Sequence, residues 1–82
     1  MTRGQCRAAR GLLGWTLTDL ANASEVNLNT ISKFERGDNT PRPSTLKVLQ
    51  RALEDAGIEF IPGNGKGVGV RFACRQANNN AR

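Results

Sequence analysis

The chain contains no histidine and only two cysteines, Cys6 and Cys74, among its 82 residues. Histidine is the usual general acid or base at neutral pH, and a structural zinc site needs about four nitrogen or sulfur ligands at characteristic spacings. Paired carboxylates suited to acid–base chemistry are also missing. The sequence therefore predicts a protein that is not an enzyme, has no metal site and uses no cofactor.

Long apolar runs are also missing. No stretch approaches the roughly 18 consecutive apolar residues that a membrane-spanning helix needs, and the first residues lack the apolar core of a secretory signal. We therefore expect no membrane partner and a cytoplasmic location. A reducing cytoplasm argues against a structural disulfide between the two cysteines.

Positive charge is what the chain has in excess, with a net charge of +5. The first 15 residues contain three arginines and no acidic residue, and residues 61–82 contain four basic residues and no acidic one. Between these ends, acidic residues outnumber basic ones by seven to five. The total favours a polyanionic partner, but the middle of the chain is not itself basic.

The first half of the sequence predicts three short helices. Cys6, Ala9 and Leu13 recur at helical spacing and predict a first helix over residues 3 to 13, ended by Gly14. Cys6 is expected to be a buried, inert thiol on its apolar face.

Thr16 and Asn27 are good N-caps for the second and third helices. The third helix is predicted to turn Ile31 and Phe34 inward. Its outward stripe is then Leu28, Asn29, Ser32, Lys33 and Arg36.

A fourth helix and a hairpin are predicted in the second half. Ser44 can cap a helix that Gly57 ends, with an apolar stripe of Leu46, Leu49 and Leu53. Val48 and Ala52 widen this stripe.

After Gly57 the apolar period changes to two, which predicts a β-hairpin over residues 58–73 joined by a glycine-rich loop at 62–67. The alternating apolar residues are Ile58, Phe60, Val68, Val70 and Phe72. The polar, asparagine-rich residues 74–82 are predicted to be a disordered tail.

The segment from Gly14 to Gly37 resembles the phage-repressor and Cro-like helix-turn-helix family, the XRE type of bacterial transcriptional regulators. The resemblance extends over residues 6 to about 56. The residues that carry it are Leu13, Gly14, Leu20, Ala21, Val26, Thr30, Ile31, Ser32, Phe34, Glu35, Arg36 and Gly37. It implies a mainly α fold, a four-helix lambda-repressor-like helix-turn-helix domain followed by a short C-terminal β-hairpin. The domain would span residues 1–57, with the helix-turn-helix at 16–36 and the recognition helix at 28–36.

The resemblance also implies a DNA-binding face, because in this family the second helix crosses the DNA backbone and the third enters the major groove. The implied base-contacting residues are Leu28, Asn29, Thr30, Ser32 and Lys33. The implied phosphate-contacting residues are Thr16, Leu17, Thr18, Arg36 and Arg42. An ion pair between Arg10 and Glu35 is implied as a structural link between the first and third helices.

Three residues depart from the family pattern on this face. Leu17 stands where glutamine is usual, Glu25 where glycine is usual, and Leu28 where a polar base-reading residue is common. One hypothesis is that the chain is a small DNA-binding regulator in which the two leucines only pack. The alternative is that these three residues form a protein-binding patch, in an antiactivator or adaptor that sequesters another transcription regulator. An isolated two-stranded sheet is marginal in water, so the hairpin must pack on the helices or pair its edge with another chain. We expect a homodimer through the hairpin, while a monomer would also suit the protein-binding alternative.

Overall fold

The computed structural model describes residues 1–63, 65 and 67–73. Cys74 and the predicted disordered tail at 74–82 lie outside these described residues. The described part forms four helices and then two strands. They are α1 (Arg3–Leu13), α2 (Leu17–Ser24), α3 (Leu28–Arg36), α4 (Pro43–Asp55), β1 (Ile58–Ile61) and β2 (Gly69–Phe72). The predicted fold class, a helix-turn-helix domain followed by an antiparallel hairpin, is confirmed.

Polar side chains fix where α2 and α3 begin. The Thr16 hydroxyl accepts a hydrogen bond from the amide of Asp19 at 3.1 Å, and the Asp19 carboxylate accepts one from the amide of Thr16 at 2.9 Å. Asn27 caps α3 by accepting from the amide of Asn29 at 2.8 Å. These bonds satisfy amides that have no partner within their own helix. The predicted caps of α2 and α3 are therefore confirmed.

Three details predicted for α4 and one for the hairpin differ from the structure. Ser44 is not the N-cap, because α4 already begins at Pro43, whose fixed φ suits the first helical position. The helix ends at Asp55 with Ala56 as its C-cap, one residue before Gly57. Val48 does not widen the buried stripe, since 46% of it is exposed. Val68 precedes β2 and is not part of it.

A single core joins the four helices to the hairpin. Its buried members are Cys6, Ala9, Leu20, Ile31, Phe34, Leu49, Leu53 and Ile58. Phe60 and Val70 pack against this cluster from the sheet. Burying apolar surface is the main favourable term in folding, so the hairpin is held by the helices.

The Gln5 side chain ties α1 to the hairpin. Its amide oxygen accepts from the backbone amide of Thr2 at 2.8 Å, which completes a capping box. Its amide nitrogen donates to the carbonyls of Gly69 at 2.9 Å and Ile61 at 3.4 Å. Gln5 is 7% exposed, so these bonds provide partners for a buried polar group. One side chain thus fixes both the start of α1 and the loop end of the hairpin.

Within the described residues, no helix is both long enough and apolar enough to cross a membrane.

The turn between α2 and α3 holds Glu25 in a left-handed conformation, with φ of 60°. A non-glycine residue in this conformation costs roughly 1–2 kcal/mol. Glycine avoids this cost, but it loses about 0.5–1 kcal/mol more in chain entropy on folding, so the net gain is smaller. We expect Glu25→Gly to raise the free energy of unfolding by about 0.5–1 kcal/mol, measured by urea denaturation. Glu25→Ala is the matched control, because it removes the charge and keeps the Cβ atom. An equal gain in both variants would contradict backbone strain as the cause.

Candidate nucleic-acid interface

The N-termini of α2 and α3 border a shallow groove of about 540 Å³. Its lining residues are Arg10, Thr16, Leu17, Thr18, Leu28, Asn29 and Ser32. Six of these seven are residues for which the sequence predicts DNA contacts. The structure therefore brings together most of the predicted contact residues of both helices. Thr30, Lys33, Arg36 and Arg42 are not among the lining residues.

The α2 side of the groove presents backbone amides. Leu17 and Thr18 occupy the first turn of α2, where amides have no carbonyl partner in the helix. Such amides, with the positive end of the helix dipole, suit a phosphate oxygen. The Asp19 carboxylate at the same helix end opposes this attraction. This end of α2 is therefore a weaker anion site than an uncharged helix start would be.

The α3 side presents exposed side chains. Asn29 and Lys33 are exposed, Thr30 and Ser32 are half-buried, and 42% of Leu28 is exposed. The cap of α3 is Asn27, which uses only the backbone amide of Asn29. The side-chain amide of Asn29 is thus available to a ligand.

Arg36 is held by two neighbours on the surface. Its Nε donates to Asp38 at 3.0 Å, and its Nη1 donates to the Ser32 hydroxyl at 3.2 Å. The pair with Asp38 is solvent-exposed, so it contributes little to stability. The negative charge of Asp38 nevertheless offsets the positive charge of Arg36 at the edge of the candidate interface. Arg42 is exposed at the N-cap of α4.

The predicted ion pair between Arg10 and Glu35 is present and largely buried. Two parallel hydrogen bonds join the guanidinium to the carboxylate, at 2.7 Å from Nε and 2.6 Å from Nη2. A third donor of Arg10 reaches the carbonyl of Trp15 at 3.0 Å. The bonds to Glu35 raise the pKa of Arg10 above its already high ordinary value. This cluster fixes α3 and the loop before α2 to α1, and so positions both sides of the groove.

Cys6 adjoins this ion pair. Its Sγ donates to the Glu35 carboxylate at 3.3 Å. Burial, reinforced by the negative charge of Glu35, raises the pKa of the Cys6 thiol to about 12. The thiol is therefore protonated at neutral pH, in agreement with the predicted buried and inert role, since thiolates are the reactive form.

Charges around the groove nearly balance. Arg10, which lines the groove, is paired with Glu35. The other basic residues close to the groove are Arg7, Lys33, Arg36 and Arg42, and the acidic ones are Asp19, Glu25 and Asp38. All seven are exposed. The face therefore lacks the excess of positive charge that dominates nonspecific DNA binding.

The three residues of the alternative patch differ in their surroundings. Leu17 is half-buried and packs against the core, while Leu28 is exposed in the same groove. Glu25 is exposed but does not line the groove. The structure thus brings the two leucines together and leaves the glutamate apart.

Two positioning contacts were not predicted from the sequence. The pattern Thr2-x-x-Gln5 signals a capping box, but it gives no sign that Gln5 also reaches the hairpin. The spacing of Ser32 and Arg36 indicates neighbours on one helix face. It does not indicate that Asp38, beyond the helix end, completes the arrangement.

Comparison with known proteins agrees with this architecture. The family model described as Helix-turn-helix matches residues 7–56, which is more than half of the chain. No curated protein matches the chain significantly. The matched region contains α2, α3 and all the residues that line the groove. The chain therefore belongs to the XRE-type helix-turn-helix family, a family of DNA-binding regulatory domains.

Proposed function

We propose that this chain is a small bacterial transcriptional regulator that acts in the cytoplasm by binding an operator in double-stranded DNA. The observation that supports this proposal most is the groove between the N-termini of α2 and α3, lined by six predicted contact residues. In such an arrangement α3 enters the major groove while α2 lies across the backbone.

The base-reading residues are proposed to be those at the start of α3. Asn29 can form a bidentate pair with adenine, and Lys33 can reach the O6 and N7 acceptors of guanine. Leu28 offers apolar contact to a thymine methyl group. Thr30 and Ser32 lie beside them. The exposure of Asn29, Lys33 and Leu28 supports this assignment.

Phosphates are proposed to bind at two places. One is the start of α2, with the Thr16 hydroxyl and the amides of Leu17 and Thr18. The other is formed by Arg36, the last residue of α3, and Arg42, the N-cap of α4. Because acidic residues balance much of this charge, we expect affinity to depend more on base contacts than in strongly basic relatives.

The test is binding to duplexes enriched from the region of the gene's own promoter, followed by fluorescence anisotropy across a range of salt concentrations. Three cations, Lys33, Arg36 and Arg42, would give a slope of log affinity against log salt of about −3 per bound copy. A flat salt response, or no duplex retained at all, would contradict DNA binding.

The second candidate function is a helix-turn-helix module that binds another transcription regulator, as an antiactivator or adaptor. The observation in its favour is that Leu28 is 42% exposed beside Leu17 in a groove of nearly balanced charge. A pull-down from the native host, scored for both DNA and protein, separates the two functions. If Leu28→Ser abolishes the capture of another regulator and Lys33→Ala does not, the result supports a protein partner. If Lys33→Ala abolishes the capture of DNA, the result supports an operator.

A further inference from the structure

A second, smaller hollow adjoins the groove and lies between α1 and α3. It measures about 230 Å³, and its lining residues are Arg7, Arg10, Leu17, Ser32, Glu35 and Arg36. Three of these, Arg10, Leu17 and Ser32, also line the groove. The two hollows are therefore continuous, and together they follow α3 from its first residue to its last.

Arg7 brings an unbalanced positive charge to this hollow. Its side chain is exposed and has no hydrogen bond or ion pair within the described residues. The charges of Arg10 and Glu35 cancel in their buried pair. Arg36 is bonded to Asp38, just beyond the hollow. The hollow is therefore positive, and Arg7 is the lining residue whose charge can accept an anion at no cost to an existing bond.

The arginines of α1 are placed against the stability of that helix. Arg3, Arg7 and Arg10 follow one another at spacings that put them on one helix face, where like charges repel. Arg3 also stands at the first position of α1, where the positive end of the helix dipole disfavours a cation. No acidic residue of α1 offsets these charges. An anion bound beside this face would relieve the repulsion.

The hollow also lies where a phosphate would pass. A helix with its side chains is about 10–12 Å across and the major groove is about 12 Å wide, so a reading helix fills the groove. Residues beside that helix then meet the phosphates at the edge of the groove. Thr16 lies beside the first half of α3 in this way, and Arg7 lies beside the second half.

We propose that the hollow between α1 and α3 binds a backbone phosphate of the DNA, with Arg7 as its main ligand and Arg36 as its second. This proposal rests on the operator binding proposed above. The planar fork of an arginine matches two phosphate oxygens. Arg36 donates to Asp38 through Nε and to Ser32 through Nη1, which leaves its Nη2 for the phosphate.

The first test compares Arg7→Ala with the unaltered chain by fluorescence anisotropy, on the operator and on an unrelated duplex. A phosphate contact carries no sequence information, so both complexes should weaken by a similar factor, roughly tenfold. The slope of log affinity against log salt should become shallower by about one. Arg7→Lys keeps the charge but loses the fork, so it should keep the slope and recover part of the affinity.

Arg51→Ala is the matched control. Arg51 is an exposed arginine of α4, and it lines a separate hollow whose lining residues belong to α2 and α4. Its removal lowers the net charge equally, so both affinities and the salt slope should stay unchanged. Thermal unfolding should show no loss of stability for Arg7→Ala, because the side chain is exposed and alanine is a strong helix former. Equal losses of affinity in Arg7→Ala and Arg51→Ala would overturn the site.

A scan of the DNA backbone locates the contact. In each duplex of the scan, one phosphate is replaced by an uncharged methylphosphonate. At one position the replacement should weaken binding by the unaltered protein but cost Arg7→Ala nothing further, as expected for two partners of one contact. Replacement of the phosphate at the start of α2 should weaken both proteins equally.

The outcomes separate this site from the operator proposal. If the operator is bound but no position in the scan depends on Arg7, the site is overturned and the operator stands. If the unaltered protein retains no duplex, both proposals fail. If inorganic phosphate alone raises the melting temperature of the unaltered chain but not of Arg7→Ala, and the scan finds no such position, the hollow binds a free anion and the DNA contact is overturned.

Discussion

Arg10→Ala is expected to lower the free energy of unfolding by about 3–5 kcal/mol, the usual cost of removing one partner of a buried ion pair. The side chain of Glu35 is 7% exposed, so the substitution leaves a carboxylate in the interior without its bidentate partner. The carbonyl of Trp15 loses a hydrogen bond at the same time. Such a loss is a large part of the stability of a small domain. Urea denaturation measures it directly.

The double variant Arg10→Met with Glu35→Leu is the matched control. Apolar residues of similar volume often replace a buried ion pair with little loss, because no charge is left unpaired. We therefore expect the double variant to be more stable than Arg10→Ala. The surface pair of Arg51 and Asp55 gives the second reference, since Arg51→Ala should cost less than about 1 kcal/mol. Equal losses in Arg10→Ala and Arg51→Ala would contradict a buried role for the Arg10 pair.

Local signals predicted most of this fold because the residues that begin and end its helices act over short distances. Thr16 and Asn27 bond to amides within three residues, so sequence alone identifies them as caps. Gly14 and Gly37 end their helices in the left-handed conformation that glycine adopts readily. The start of α4 lies two positions earlier than predicted, because Arg42 is the N-cap in place of Ser44 and Pro43 is the first helical residue. Proline is well suited to the first helical turn.

The missed features depend on contacts that sequence spacing does not encode. Gln5 bonds to carbonyls 56 and 64 residues away, and its partners are fixed only once the hairpin has packed on α1. Val48 has helical spacing with the apolar stripe of α4, but it lies about 100° from Leu49 around the helix. Val48 there lines an open hollow between α2 and α4 and stays 46% exposed. The interface residues were named by resemblance, and their grouping in one groove required the structure.

Asn29→Ala and Lys33→Ala are each expected to weaken specific operator binding by about 5–150-fold, since a good base contact discriminates by about 1–3 kcal/mol. The physical reasons differ. Lys33 brings positive charge, so its loss should also reduce the salt slope by about one and weaken binding to unrelated duplexes. Asn29 is uncharged, so its loss should leave the salt slope unchanged and relax the preference for adenine at one position.

We expect both variants to keep the fold. Both residues are exposed, and the cap of α3 is Asn27, not Asn29. Alanine is also a better helix former than asparagine. The charge control is Lys47→Ala, which removes an exposed lysine on α4 that lines a different hollow, beside Val48 and Arg51. Fluorescence anisotropy on the selected operator, and on duplexes with single base changes, measures all three variants. If Lys47→Ala weakened the specific complex as much as Lys33→Ala, the binding would depend on overall charge and α3 would not be the reading helix.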